Sequence, residues 1–164
     1  VFNTIHFVGD SLGWVAGVRL SPSTGGQDGL IQKTIDGGEN WTDQPTNIED
    51  ILKDIFFVNA STGWAVGENG VILHTTDGGD TWQKQNSGTE EHLLSIQFTN
   101  ENVGWAVGGD FGVSVIIHTT DGGETWERQV IDDPIAGKIP MKDVFVKGDE
   151  VWTTGNNGLV IQYK

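Results

Sequence analysis

The chain has 164 residues, 36% of them hydrophobic, which suits one domain or one short repeat array with a core of its own. Its 23 acidic against 9 basic side chains give a formal charge of −14, which argues against a nucleic-acid or anionic-membrane partner, and no apolar run approaches the ~18 residues of a membrane span. Cys is absent, which removes disulfides, thiolate metal sites and thiol nucleophiles together, and an opening on Val1 without a leader pattern reads as a processed, excised or partial chain.

The first unit begins with Ile5 and Phe7 alternating on one face, then Gly13-Trp14 with a short apolar run, Leu30-Ile31, and the octet Thr34 to Trp41. The second repeats this order as Ile55 and Phe57, Gly63-Trp64, Val71 to Leu73, Thr75 to Trp82, and a fourth strand starting at Trp82. The third runs Ile96 and Phe98, Gly104-Trp105, Val115 to Ile117, Thr119 to Trp126. The fourth has Val144 and Val146, Val151-Trp152 and Leu159 to Ile161, with no Asp-Gly-Gly turn and no fourth strand. All 7 tryptophans fall on two repeat positions. Four short strands per unit, a period of about 41 to 50 residues and dense Gly punctuation match a propeller blade. The expectation is an all-β fold of four-stranded antiparallel propeller blades, about four of them with the last incomplete. It forms an arc or part of a larger propeller, as one array over 1–164. The blades span about 1–46, 47–88, 89–131 and 138–164.

The octet sits between the third and fourth strands. Gly37, Gly78 and Gly122 take φ > 0 cheaply, the Asp accepts backbone N–H groups two residues on, and the Trp covers the turn. A calcium reading pairs Asp36 with Glu39, Asp77 with Asp80 and Asp121 with Glu124. An EF-hand loop needs more oxygen ligands than these turns offer, so no metal and no cofactor is expected.

This octet resembles the Asp-box, or bacterial neuraminidase repeat, in three copies. Its structural residues are Thr34, Asp36, Gly38 and Trp41; Thr75, Asp77, Gly79 and Trp82; and Thr119, Asp121, Gly123 and Trp126. The wider pattern, Phe then Gly-Trp-x-x-Gly then an Asp-box, is similar to the repeats of the photosystem II stability/assembly factor family. That resemblance implies a propeller. It does not fix a function, because the box also occurs in sialidases, other glycoside hydrolases and sorting receptors. The sialidase resemblance implies three arginines and a Tyr nucleophile. Here the only arginines are Arg19 and Arg128 and the only tyrosine is Tyr163, which aligns with the box Thr, so that chemistry is excluded. The assembly-factor resemblance implies a lumenal, chaperone-like scaffold with an arginine-bearing surface, from which this acidic chain departs.

In an antiparallel blade the 2→3 and 4→1 loops leave one edge, and the 1→2 loops and Asp-boxes leave the other. Both variable classes of loop, with inserts at Arg19 to Gly29, Gly109 to Ser114 and Ile131 to Pro140, therefore fall on one face, where binding usually resides. The candidate binding residues are Arg19, Asp28, Glu68, Glu90, Glu91, Asp110, Phe111, Asp132 and Asp133, with Asn69, Asn156 and Asn157 on the same surface. The alternative is a carbohydrate-binding or glycosidase-type propeller with Asp110 and Asp133 as its carboxylate pair. Aromatic residues for sugar stacking are scarce outside the repeat positions, and nucleophile motifs are missing. His74 and His118 share a third-strand position and read as structural, His6 as a packing or pore-lining choice, and His92 as a solvated loop residue. Asn40 and Asn59 open formal glycosylation sequons, and the first, inside an Asp-box, reads as coincidental. The expected function is a non-catalytic, extracytoplasmic scaffold that binds a protein partner or self-assembles through open blade edges.

Overall fold

The computed structural model describes residues 1–20, 25–110, 112–131, 136–148 and 150–163. Alternation, Gly-bounded apolar runs and tight turns produce strands wherever the repeat has them. Blade 1 contains β1 (Phe2–Val8), β2 (Leu12–Leu20), β3 (Gln27–Thr34) and β4 (Thr42–Gln44). Blade 2 contains β5 (Leu52–Phe57), β6 (Gly63–Gly67), β7 (Ile72–Thr75) and β8 (Gln83–Gln85). Blade 3 contains β9 (Leu93–Phe98), β10 (Gly104–Gly108), β11 (Val115–Thr119) and β12 (Glu127–Arg128). Blade 4 contains β13 (Met141–Lys147), β14 (Glu150–Gly155) and β15 (Val160–Tyr163). Each sheet is antiparallel with its strands in chain order, four strands in blades 1 to 3 and three in blade 4. The fold is a propeller-type array, and the first strands β1, β5, β9 and β13 pack side by side along its inner edge.

Two expectations need correction. The fourth strands start one residue after the box Trp, because its indole turns inward over the turn. The loop insert expected over Arg19 to Gly29 has its two ends in strands: β2 and β3 stay paired out to Leu20 and Gln27, with Arg19 opposite Asp28.

The core lies between blades. Phe57 of blade 2 lies flat on Trp14 of blade 1, ring centroids 3.5 Å apart, and Trp82 meets Phe57 edge-on at 5.9 Å. Blades 2 and 3 repeat this with Trp64, Phe98 and Trp126. Burial of such aromatic pairs supplies most of the driving force, with edge and stacking geometry adding about 1 kcal/mol per pair. The strand-2 indoles of blades 1 and 2 also donate to the next blade's Asp-box, Trp14 to the Gly78 carbonyl (3.0 Å) and Trp64 to that of Gly122 (3.1 Å). Trp105, on the side of blade 3 that faces blade 4, is half-buried where Trp14 and Trp64 are fully enclosed.

A polar joint runs beside the apolar one. Every first strand carries a register shift just before Thr4, Asp54, Ser95 or Asp143. In blades 2 to 4 the next residue's amide is left to side chains. Asp54 uses this fully. It accepts Thr4 Oγ1 (2.8 Å) from blade 1, its neighbour Ile55 N (2.8 Å), and Ile96 N (3.0 Å) from blade 3. Desolvation by burial nevertheless pushes its pKa up. Ser95 donates to Asp143 at 2.9 Å and continues the series into blade 4.

The Asp-boxes lie on the opposite edge. Thr34 Oγ1 donates to Asp36 (2.7 Å) and accepts the Gly38 amide (2.9 Å), while Asp36 accepts the Asn40 amide (2.9 Å). The other two boxes superimpose on this pattern, with Thr81 and Thr125 adding a hydroxyl to Asp77 and Asp121. The carboxylate thus takes the amide four residues on, not two. The paired glycines, at φ 76° and 95° in the first box, coil the chain back on itself and leave the nearer amide to the Thr hydroxyl. Donors from residue 40, 81 or 125, amide and side chain, hold each Asp near pKa 2.

Candidate functional site

Two local features build the face of the 2→3 and 4→1 loops. Gly17 lies within strand 2 of blade 1, and strand 2 of blades 2 and 3 ends on Gly67 and Gly108; a Cβ at these positions would lie 2.1, 2.3 or 2.0 Å from the carbonyl oxygen of Val1, Ile51 or His92. Only glycine lets the residue preceding strand 1 press this closely against strand 2. The following amides then bond across: Glu68 N donates to Ile51 O (3.0 Å) and Gly109 N to His92 O (2.8 Å). The second feature is the Glu68–Gly70 turn, in which Asn69 and Gly70 are left-handed (φ 54° and 67°), as Asn and Gly tolerate.

These constraints bring three blades' loops together. Asn69 Nδ2 donates to Asp50 Oδ1 at 2.7 Å, and Asn69 N donates to His92 Nδ1 at 3.2 Å. With Nδ1 accepting, the proton of neutral His92 sits on Nε2, which faces Asp110 Oδ2 at 3.4 Å. Lys53 Nζ pairs with Glu68 at 2.8 Å. Asp50, Lys53, Glu68, Asn69, His92 and Asp110 therefore form one polar surface that crosses from the blade 1–2 connection to blade 3.

Of the residues singled out from sequence, Glu68 and Asp110 lie in this cluster. Glu90 and Glu91 are in the same 4→1 loop as His92, exposed and half-buried respectively. Arg19 and Asp28 stand apart on blade 1, beside a groove of about 530 Å³ walled by Gln44 to Glu49. Arg19 pairs with Asp43, and Gln32 followed by Arg19 holds the Asp43 carboxyl below its ordinary value. Phe111, Asp132 and Asp133 lie outside the described residues, and with them one half of the suggested glycosidase pair. His92 is not a loose loop residue; it is the hinge of the cluster. Asp50 and Lys53 were missed, although Asp50 lies two residues before β5 and Lys53 is its second residue.

The other histidines lie in the inter-blade joints. His74 and His118 lie against Trp64 and Trp105 as their cross-strand partners, and His6 tilts against Phe56 with Nε2 3.0 Å from Phe57 O. Burial lowers the pKa of all three. Among the described residues no group of three His, Asp or Glu side chains is placed to hold a metal ion.

Curated proteins offer no match to this chain. Among solved structures, a YCF48 bound to D1 peptide superimposes with TM-score 0.66 at 20% identity, covering 99% of this chain and 52% of that one. YCF48 from Cyanidioschyzon merolae gives TM-score 0.71 at 17% identity, with coverages of 99% and 50%. An ancestral GH74 enzyme gives 0.73 at 16% identity, with coverages of 98% and 22%. These likenesses establish the propeller fold, and the chain spans about half the length of either YCF48. The family model for photosynthesis system II assembly factor YCF48 matches residues 1–87, 34–138 and 81–164, so the chain belongs to that family.

Proposed function

We propose that this chain is a non-catalytic propeller scaffold that holds a protein segment on the face of its 2→3 and 4→1 loops, in an extracytoplasmic compartment. The observation that carries the reading is the convergence of loops from neighbouring blades on Asp50, Glu68, Asn69, His92 and Asp110, beside glycines at which a Cβ would strike a backbone carbonyl. A rigid surface of hydrogen-bonding groups supplied by several blades suits an extended peptide better than a compact substrate. Membership of the YCF48 family and the similarity to a YCF48 bound to D1 peptide support a peptide as the ligand class. The excess of carboxylates on this face, and the charge of −14, select a segment carrying Lys or Arg. A catalytic reading has less support. Asp110 is engaged by His92, and a likeness to a GH74 enzyme at 16% identity speaks to fold alone.

Fluorescence anisotropy with labelled 15-residue peptides, one Lys/Arg-rich and one Asp/Glu-rich at equal length, tests this. The basic peptide binds, the acidic one does not, and binding weakens with salt. Glu68→Gln and Asp110→Asn each weaken it by about threefold, the usual scale for partly exposed charges. Equal binding of both peptides, or no effect of either substitution, overturns the choice of face and ligand.

A further inference from the structure

We propose that the cleft between blades 2 and 3 on the Asp-box edge binds a primary alkylammonium group, in the place that the Lys33 side chain fills at the joint between blades 1 and 2. The site lies on the opposite edge of the blades from the loop face assigned to the peptide, and it has described blades on both sides.

The repeat supplies the template. Lys33 stands one residue before the box Thr, opposite Trp14 in strand register, and reaches across to the box of blade 2. Its Nζ lies 3.5 Å from Asp80 Oδ1, and a Cβ on Gly78 would meet that Nζ at 3.2 Å. The same Cβ would lie 2.8 Å from the carbonyl oxygen of Ala60, in the 1→2 loop of blade 2. A glycine, a carboxylate and a loop carbonyl therefore bound the space that the ammonium occupies.

At the joint between blades 2 and 3 every part except the ammonium recurs. His74 takes the Lys33 position, opposite Trp64. Gly122 takes that of Gly78 and Glu124 that of Asp80, while the Glu101 carbonyl oxygen, 3.0 Å from a Cβ on Gly122, takes that of Ala60. Apart from Gly122 and its chain neighbours, no other atom of the described residues comes within 4 Å of that Cβ, so the imidazole does not reach where Lys33 Nζ does. It lies on Trp64 instead, ring centroids 4.8 Å apart. What remains is a cleft of about 460 Å³ whose walls include His74, Glu101, Gly122 and Glu124.

The charges in the cleft favour a cation. The Asp121 carboxylate is engaged by Thr119 and Thr125, and that of Glu101 accepts Asn59 Nδ2 at 2.7 Å. Glu124 has no hydrogen bond or ion pair among the described residues. Burial lowers the pKa of His74 and the nearby Glu124 charge opposes it, which places that charge at the mouth of the cleft. Lys84 also lines the cleft, from β8, but makes no ion pair among the described residues and is outnumbered by the carboxylates. An alkylammonium offers three N–H donors on a slim apolar stem, and the Glu124 carboxylate and the Glu101 carbonyl are its acceptors.

Two-dimensional amide NMR of the full chain, titrated with n-butylammonium chloride to about 50 mM at constant ionic strength, covers the millimolar range of one ion pair in an open cleft. The Gly122 and Glu124 amides are expected to shift saturably, whereas tetramethylammonium, which has no N–H, leaves them in place. Glu124→Gln weakens the response by about threefold. His74→Lys supplies its own ammonium and abolishes the response at Gly122. Lys33→His opens a second cradle, so the Gly78 and Asp80 amides begin to respond. Each exchange installs the residue found at the other joint, and an unchanged amide spectrum elsewhere reports the intact fold. N-acetyl-lysine methylamide separates the two sources of the group: a response equal to that of butylammonium supports the lysine side chain of a partner, and a response to butylammonium alone supports a free amine. No saturable shift at Gly122, an equal shift with tetramethylammonium, or a shift that survives His74→Lys overturns the proposal.

Discussion

Trp64 lies flat against Phe98, ring centroids 3.5 Å apart and planes 8° apart, although 34 residues separate them and they belong to different blades. The indole also donates to the Gly122 carbonyl, so one side chain ties strand 2 of blade 2 to both strand 1 and the Asp-box of blade 3. Propeller arrays of this kind are held by nearest-neighbour contacts, and each contact is open to separate test.

Phe98→Ala removes a ring that is 4% exposed and clamped between two indoles. The expected loss is about 3–5 kcal/mol in urea-unfolding free energy. Ile35→Ala, at a side chain 74% exposed in the first box, changes stability by no more than about 0.5 kcal/mol. Equal effects would show that the aromatic joint does not carry the core.

The Asp-boxes make the fold acid-sensitive. Asp36, Asp77 and Asp121 are held near pKa 2 against an ordinary 3.8, so their folded pKa is depressed. Their contribution is complete above the unfolded value and is lost as pH falls from about 4 towards 2. Asp77→Asn lowers stability at pH 7 and flattens that segment of the pH profile, read by urea midpoints at pH 7, 4, 3 and 2. An Asp77→Asn profile parallel to the parent's would remove the box carboxylate from the acid response.

Histidine acts at higher pH and through the opposite charge. Burial lowers the pKa of His6, His74 and His118, so the unfolded chain takes up protons before the folded one does. Stability falls as pH drops below about 6.5, the ordinary histidine value, and stops falling once the folded histidines protonate. His74→Gln shallows the slope between pH 7 and 5, measured by thermal midpoint. His74 Nε2 is buried without a hydrogen-bond partner, so the Gln amide fills that position at little cost in packing. An unchanged slope would mean that His74 is equally basic in both states.

Gly108→Ala places a Cβ 2.0 Å from His92 O and must push the 4→1 loop off the face. A stability loss of about 1–3 kcal/mol is expected from such forced repacking. Peptide binding should weaken with it, because His92 no longer meets Asn69 and Asp110. Gly88→Ala would be strained by its positive φ, so Gly137→Ala, with nothing within 4 Å of its Cβ among the described residues, is the neutral control. A Gly108→Ala protein with parental stability and binding would show that the loop yields without cost.

Much of the architecture is already written in single residues. The period of Gly-Trp and Asp-Gly-Gly marks the blades because a tight turn needs φ > 0 and an inter-blade joint needs a flat ring, and few residue types meet either demand. The same logic separates the two edges of each blade, since alternating strand direction sorts the loops before any coordinates exist. The Asp-box hydrogen bonds were less legible. Two consecutive positive-φ residues redirect the chain enough to move the carboxylate's partner from the second residue to the fourth.

The candidate site was legible only in outline. Local sequence shows Glu68 and Asp110 as loop carboxylates, but not that Asn69 and His92 join them, because those contacts cross blades and depend on glycines at the ends of β6 and β10. Asp54 resembles any strand carboxylate until packing surrounds it with donors from three blades. The sequence by itself determined the repeat, its turns and its aromatic joints, since these follow from the conformational preferences of residues close in the chain. Only the tertiary structure decided which polar groups share a surface and which carboxylate is buried, since burial and charge pairing depend on distances between segments that the chain order leaves open.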